Sequence, residues 1–225
     1  MTARLREGSV QGLYVAAEAG NNGKSHNHND VGNFIVYANG APAIIDVGVG
    51  TYTAKTFSSR RYEIWTMQSA FHNCPTIGGI MQSPGRQYAA AAVSCHQDDE
   101  AAELRMDIGG AYPKNAGLES WKRIVRLDRT RNQVEVADEY SLSRSAKEIT
   151  LTLMTPCRVS QQPGTLQLED RARVAYDRAL AASVEEIKLD DPHLSGVWGE
   201  RIYRILLRAA NPPRQGKWSM RISQA

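Results

Sequence analysis

The chain has 225 residues, 42% of them hydrophobic and 23% charged, an ordinary globular composition with room for one large core. Its 27 basic and 24 acidic residues leave a net charge of only +3, which excludes a strongly basic nucleic-acid binder but allows local recognition of an anionic ligand. No stretch approaches the roughly 20 apolar residues of a membrane-spanning helix. The opening Met1–Glu7 lacks the apolar core of a signal peptide, so either a cytosolic protein or a piece of a longer one is expected.

In chain order, the runs Gly12–Ala17 and Asn33–Ala38 are rich in β-branched and aromatic residues and bounded by Gly and Asn, as strands are. Asn39-Gly40 predicts a tight hairpin leading into Pro42–Ile45. Residues 98–106 carry the one helix-like stretch, long enough for two turns. Trp121–Leu127 and Gln133–Ala137 read as strands across the polar turn Asp128–Asn132, and Ile149–Leu153 repeats their period of two. Arg201–Arg208 and Lys217–Ile222 are expected to pair across residues 211–216. Many short strands with turn signals and little helix predict one all-β unit over residues 1–225, a two-sheet antiparallel β-sandwich of the supersandwich type. Cys74, Cys95 and Cys157 form no motif, so all three are expected to be reduced and largely buried.

Chemistry concentrates in the first third, which holds three of the five histidines. In Ser25-His26-Asn27-His28-Asn29-Asp30, a strand would set His26, His28 and Asp30 on one face. Asp46 ends the apolar run Ala43–Ile45, and His72-Asn73 follows a polar stretch with several aromatics. His28, Asp46 and His72 suit a zinc ion with one position left open. The intervals of 18 and 26 residues match no compact motif, and hydrogen-bonded polar groups in a loop-rich corner are the plainer alternative. The Asn39-Gly40 hairpin folds the Asp46 strand back toward His28, but simple pairing leaves the two offset, so a bulge or a curved sheet must close the gap. His26 is then a free imidazole beside a metal-binding one, suited to proton transfer or charge neutralisation. Asp30 could orient an imidazole. Between Asp46 and His72, a Gly-, Ser- and Thr-rich loop carries Tyr52, Lys55, Arg60, Arg61 and Tyr62. That set suits carboxylate- or sulfate-bearing sugars, because Arg binds planar anions bidentately. His96 and His193 stand alone and read as incidental.

Four segments together resemble the C-terminal domain of the heparinase II/III-like polysaccharide lyases: Ser25–Phe34, Gly40–Gly48, Thr51-Tyr52-Thr53 and Ala70–Asn73. Ala111-Tyr112-Pro113 and the strands around Trp121 and Asp138 extend the likeness more loosely. The resemblance implies an antiparallel sandwich that partners an N-terminal (α/α) toroid, in an enzyme that cleaves uronate-containing polysaccharides by β-elimination. It implies zinc on His28, Asp46 and His72, and His26 at the catalytic cleft. The main catalytic Tyr would come from the toroid, for which this chain has no run of helices; Tyr52 is the chain's own nearest candidate. Arg60, Arg61 and Tyr62 are expected to contact the anionic substrate. The full-length enzyme is expected to be periplasmic or secreted. A non-catalytic carbohydrate-binding sandwich with a structural metal is the rival reading. A complete metallo-hydrolase is a third, disfavoured because no acid/base Glu lies beside the ligands.

Overall fold

The computed structural model describes residues 1–225. The first strands are β1 (Thr2–Arg4), β2 (Leu13–Ala17), β3 (Asn21–Asn22), β4 (Phe34–Ala38) and β5 (Ala41–Ile44). After a long irregular segment come β6 (Pro75–Ile77), β7 (Gly85–Ala89), β8 (Ala91–Gln97), β9 (Ala101–Asp107), β10 (Leu118–Asp128) and β11 (Gln133–Leu142). The last third holds β12 (Glu148–Thr155), β13 (Val159–Gln162), β14 (Thr165–Leu168), β15 (Ala172–Tyr176) and β16 (Ala181–Lys188). The α-helix α1 (Pro192–Trp198), β17 (Arg201–Ala210) and β18 (Gln215–Gln224) complete it. No helix is long and apolar enough to cross a membrane.

An eight-stranded antiparallel sheet, ordered β13-β14-β15-β18-β11-β10-β9-β8, forms one layer. Two four-stranded sheets, β1-β2-β4-β5 and β16-β17-β12-β6, form the other. They meet where Ile45 N–H donates to Met154 O. The β10–β11 hairpin shows why the layers close. Trp121, Val125 and Leu127 point inward with Val134, Val136 and Tyr140, while Lys122, Arg126, Glu135 and Glu139 face solvent. One apolar cluster of 41 buried residues draws on all three sheets, from Val15 and Val36 through Val125 and Val136 to Leu153 and Ile205. The fold is therefore an all-β sandwich, as the strand spacing predicts.

The β4–β5 hairpin sits where Asn39-Gly40 places it. Both turn residues have positive φ (51° and 80°), the backbone of a type I′ turn. The register slips between Val36 and Tyr37, a bulge in a pair whose outer strand β5 tolerates Pro42 because it lies at a sheet edge.

Four expectations fail. Residues 98–106 form no helix. Asp98 turns the chain by accepting from the N–H groups of Glu100 and Ala101, and residues 101–107 then become β9 between β8 and β10. Pairing on both sides overrides the helical propensity of Ala-Ala-Glu-Leu-Arg-Met. β17 and β18 do not pair either; they belong to opposite layers. Pro212-Pro213 cannot build a tight hairpin and instead carries the chain across the sandwich edge. Residues 25–32 are loop rather than strand, with His26 at φ 56°. Their exposure still alternates: Asn27 and Asn29 are buried while His26, His28 and Asp30 are less so. Finally, the cysteines are all free, but only Cys74 and Cys157 are buried. Cys95 is exposed because every residue of the edge strand β8 is.

Candidate metal centre and the cleft beside it

Three segments converge at one end of the β1-β2-β4-β5 sheet. The first is the loop carrying His28, which turns back where Asn33 N–H donates to Asp30 O (2.8 Å) before β4 begins. Gly32 makes that turn possible: its φ is 88°, and a Cβ there would lie 2.9 Å from the Ile108 side chain. The second is the end of β5. Continuing the register of Val36 opposite Ile44 sets Asp46 beside Phe34, at the mouth of the same turn. The turn, rather than the bulge alone, brings His28 back to Asp46.

The third segment, residues 48–72, is a chain of four 3₁₀ turns: Ala54–Phe57, Arg61–Glu63, Trp65–Met67 and Ser69–Phe71. A small apolar cluster of Ile45, Val47, Met154, Leu189, Leu194 and Ile202, with Trp65 and Trp198 against it, anchors this segment to the sandwich. Trp198 Nε1–H donates to Val47 O (2.9 Å), and Asp191, at the start of α1, accepts from Thr51 N–H (2.8 Å). His72 follows the last turn and is completely buried.

The donor atoms of His28, Asp46 and His72 all lie within 4.8 Å of one another. His72 Nδ1 is 3.1 Å from Asp46 Oδ2, and the two imidazole rings are 5.2 Å apart between centroids. A tetrahedral zinc with bonds of about 2.1 Å spans donors about 3.4 Å apart, so small side-chain rotations would close the set. The partners around these atoms fit the same chemistry. Thr66 O lies 3.0 Å from His72 Nε2, and a carbonyl can only accept, so Nε2 carries a hydrogen and Nδ1 faces Asp46. Metal-ligating histidines ordinarily donate their second N–H in this way. Asp46 is oriented by Gly48 N–H on Oδ1 (2.8 Å) and by Asn33 Nδ2 on Oδ2 (2.7 Å).

Burial, and then the adjacent His72, pull His28 down to a pKa of about 4, leaving it neutral with a free lone pair at neutral pH. Burial alone would raise Asp46. The charge and hydrogen bond of His72, with the Gly48 N–H, outweigh burial and hold the carboxyl well below its usual range. His72 is pushed up: burial opposes its charge, but Asp46 more than compensates. Asp30 is lifted to about 8, chiefly by burial.

His26 is exposed beside this cluster, in a left-handed conformation that costs a non-glycine residue energy. Its ring stacks against Tyr52, with centroids 6.2 Å apart and Tyr52 Oη 3.5 Å from Nδ1, and Tyr52 in turn touches the exposed Phe57. Arg61 is brought to the loop: Nε–H donates to Asn27 O and Nη1–H to Thr56 O (both 2.9 Å), while buried Nη2 has no acceptor. Asn27 Nδ2 reaches Tyr62 Oη at 3.3 Å. Arg60 is not drawn into this group; it grips Glu63 with two nitrogens on the exposed surface. His96 pairs with Asp98 and His193 with Val49 O, both exposed.

Sequence reasoning missed the framework behind the centre. Arg123 and Asp138 form a fully buried, two-pronged ion pair across β10 and β11. Arg123 Nη1 also donates to Gly32 O (2.9 Å) and Asn73 O (2.7 Å), clamping the His28 loop to the His72 segment. The Asn73 side chain holds Phe34 O, Ile45 O and Met154 N–H.

Comparison with known proteins agrees with the sandwich fold. Solved structures of similar fold include a heparinase III gene product with methylated lysines, at TM-score 0.74 and 14% identity over 96% of this chain and 33% of that one. Another is the heparan sulfate lyase HepC from Pedobacter heparinus, at TM-score 0.69 and 12% identity over 94% and 33%. A third, heparinase III, gives TM-score 0.67 and 16% identity over 96% and 36%. At these identities the likeness is one of fold, and the chain spans about a third of those proteins' length. No curated protein sequence matches the chain. The model of the family described as heparinase II/III-like, C-terminal, matches residues 2–191, which take in β1 to β16 and all three converging segments, so the chain belongs to that family.

Proposed function

We propose that this domain forms one wall of the active-site cleft of a polysaccharide lyase, and that His28, Asp46 and His72 hold a structural zinc ion behind that wall. The observation that carries the reading is the meeting of those three side chains, with His28 only two residues along the same loop from the exposed His26, which stacks on Tyr52. A bound zinc would supply a cross-link between the three segments. The chain's own residues would do the rest.

In β-elimination from a uronate, a base removes the proton α to the carboxylate, and an acid protonates the departing glycosidic oxygen. Negative charge builds on the carboxylate meanwhile and must be neutralised. His26, exposed and with Tyr52 Oη close to its ring, would meet that carboxylate. Arg61 and Tyr62 would give the loop a cationic, hydrogen-bonding lining, which Arg60 would join on releasing Glu63. The matched catalytic groups and the opposite wall would come from an N-terminal toroid domain. The substrate class is a uronate-containing, glycosaminoglycan-like or alginate-like polysaccharide, met in the periplasm or outside the cell.

The test is ultraviolet absorbance of the unsaturated uronate product, measured on the full-length enzyme against heparan sulfate, hyaluronan and alginate. His26→Ala is expected to lower turnover by a factor on the order of 10² to 10⁴ with zinc retained, and the isolated 225 residues are expected to be inactive. Full activity of the substituted enzyme would remove His26 from the mechanism. Product formation by the isolated chain would replace the two-domain reading with one centred on Tyr52. Binding of these polysaccharides by the full-length protein without any cleavage would favour a carbohydrate-binding module.

A further inference from the structure

The Asn33 side chain reaches from the end of the His28 loop to both of the other converging segments. Its Nδ2 lies 2.7 Å from Asp46 Oδ2, and its Oδ1 accepts the backbone N–H of Asn73 at 3.0 Å, next to His72. The amide can take only this orientation, because the Asn73 N–H can only donate and the ionised Asp46 carboxylate can only accept. Asn33 is 5% exposed, and its bond to the Asn73 N–H is buried. It is also not needed for the local turn, which the backbone makes alone: Asn33 N–H donates to Asp30 O, and Asn33 O accepts from Glu18 N–H.

We propose that Asn33 is a positioning residue for the metal centre, fixing the Asp46 carboxylate against His72 so that the ligand set is assembled before an ion arrives. The inference rests on the reading of His28, Asp46 and His72 as a zinc site. The carboxylate has two oxygens and two fixed donors, Gly48 N–H on Oδ1 and Asn33 Nδ2 on Oδ2. Removing the second donor leaves the carboxylate plane free to swing about its remaining bond. The same amide ties that carboxylate to the backbone of the His72 segment, so the distance of 3.1 Å between His72 Nδ1 and Asp46 Oδ2 is set from both sides. Loss of such a supporting hydrogen bond typically weakens metal binding by roughly 10–100-fold.

The experiment compares full-length wild-type protein with Asn33→Leu, which keeps the volume but neither hydrogen bond, and Asn33→Ala, which folds more readily if the leucine clashes. Zinc affinity is measured by chelator competition well below the unfolding temperature of each metal-free protein, so that loss of fold does not enter. Cobalt(II) is bound in parallel, because its visible bands report ligand geometry. The expected result is zinc affinity lower by roughly 10–100-fold in both variants, with shifted cobalt bands. Zinc affinity within twofold of wild type and an unchanged cobalt spectrum would overturn the proposal while leaving the metal site standing. Absence of zinc binding by the wild type would instead remove the site itself, and the role of Asn33 with it.

Discussion

Asp30 shows how much a single side chain near the centre can be made to report. Burial lifts its pKa to about 8, against about 4 for an unfolded Asp. Between those values the folded state keeps a proton that the unfolded state has lost, so stability is full below about pH 4 and declines as pH rises toward 8. His28 acts in the opposite sense, being lowered to about 4, but its contribution is complete by about pH 6.5. His72, raised, declines in the same direction as Asp30. The metal-free protein is therefore expected to melt lower at pH 8.5 than at pH 6.5. Asp30→Asn should flatten that slope, leaving the part that belongs to His72, and be relatively more stable at the higher pH, as thermal unfolding in chelator at both values would show. An unchanged slope in the variant would mean that Asp30 is ionised throughout. The residue identities at this scale were legible early: His28, Asp46 and His72 stand out because few side chains offer ligand atoms. The roles of Asn33 and Asn73 were hidden, because an amide in a loop has no periodic signature and its partners come from distant segments.

Among the elements, the β10–β11 hairpin does more than cover the core. Arg123 and Asp138 occupy inward positions of two strands whose other inward residues are Trp121, Val125, Val134 and Val136, and the register sets them directly opposite each other. That pairing could have been read from the period-two pattern, since a charge of each sign at facing inward positions demands a partner. What no pattern could reveal is that the remaining Arg123 nitrogen grips the Gly32 and Asn73 carbonyls. Breaking a buried pair by removing one partner strands the other charge. Arg123→Met is thus expected to destabilise the protein by about 3–5 kcal/mol and to weaken zinc binding as well, measured by denaturant unfolding and chelator competition. Arg123→Met paired with Asp138→Leu should recover much of the stability but not the metal affinity, because the loop carbonyls stay unclamped. Recovery of both would reduce the pair to a packing role. The two element errors share a cause. At residues 98–106 and at the β17–β18 connection the local signals point one way, whereas strand partners on either side, or a crossing between layers, decide the conformation.

At the scale of the whole molecule, the sandwich is a rigid frame on which three irregular segments meet. Its core spans both layers and takes in Val31 of the His28 loop, while much of the holding of the three segments is done by polar contacts, 3₁₀ turns and a second, six-residue apolar cluster. A metal that cross-links these segments contributes its binding free energy directly to folding. The all-β class followed from strand spacing alone. The closure of the site did not, because it depends on a turn at Asp30–Asn33 that lies outside any strand. The most direct measurement of the central claim is elemental analysis of the gently purified protein, wild type beside His28→Ala, with thermal unfolding of each. The account predicts about one zinc per chain in the wild type and none in the variant, with melting lowered by several degrees. A wild-type protein free of transition metal, melting at the same temperature as His28→Ala, would contradict it.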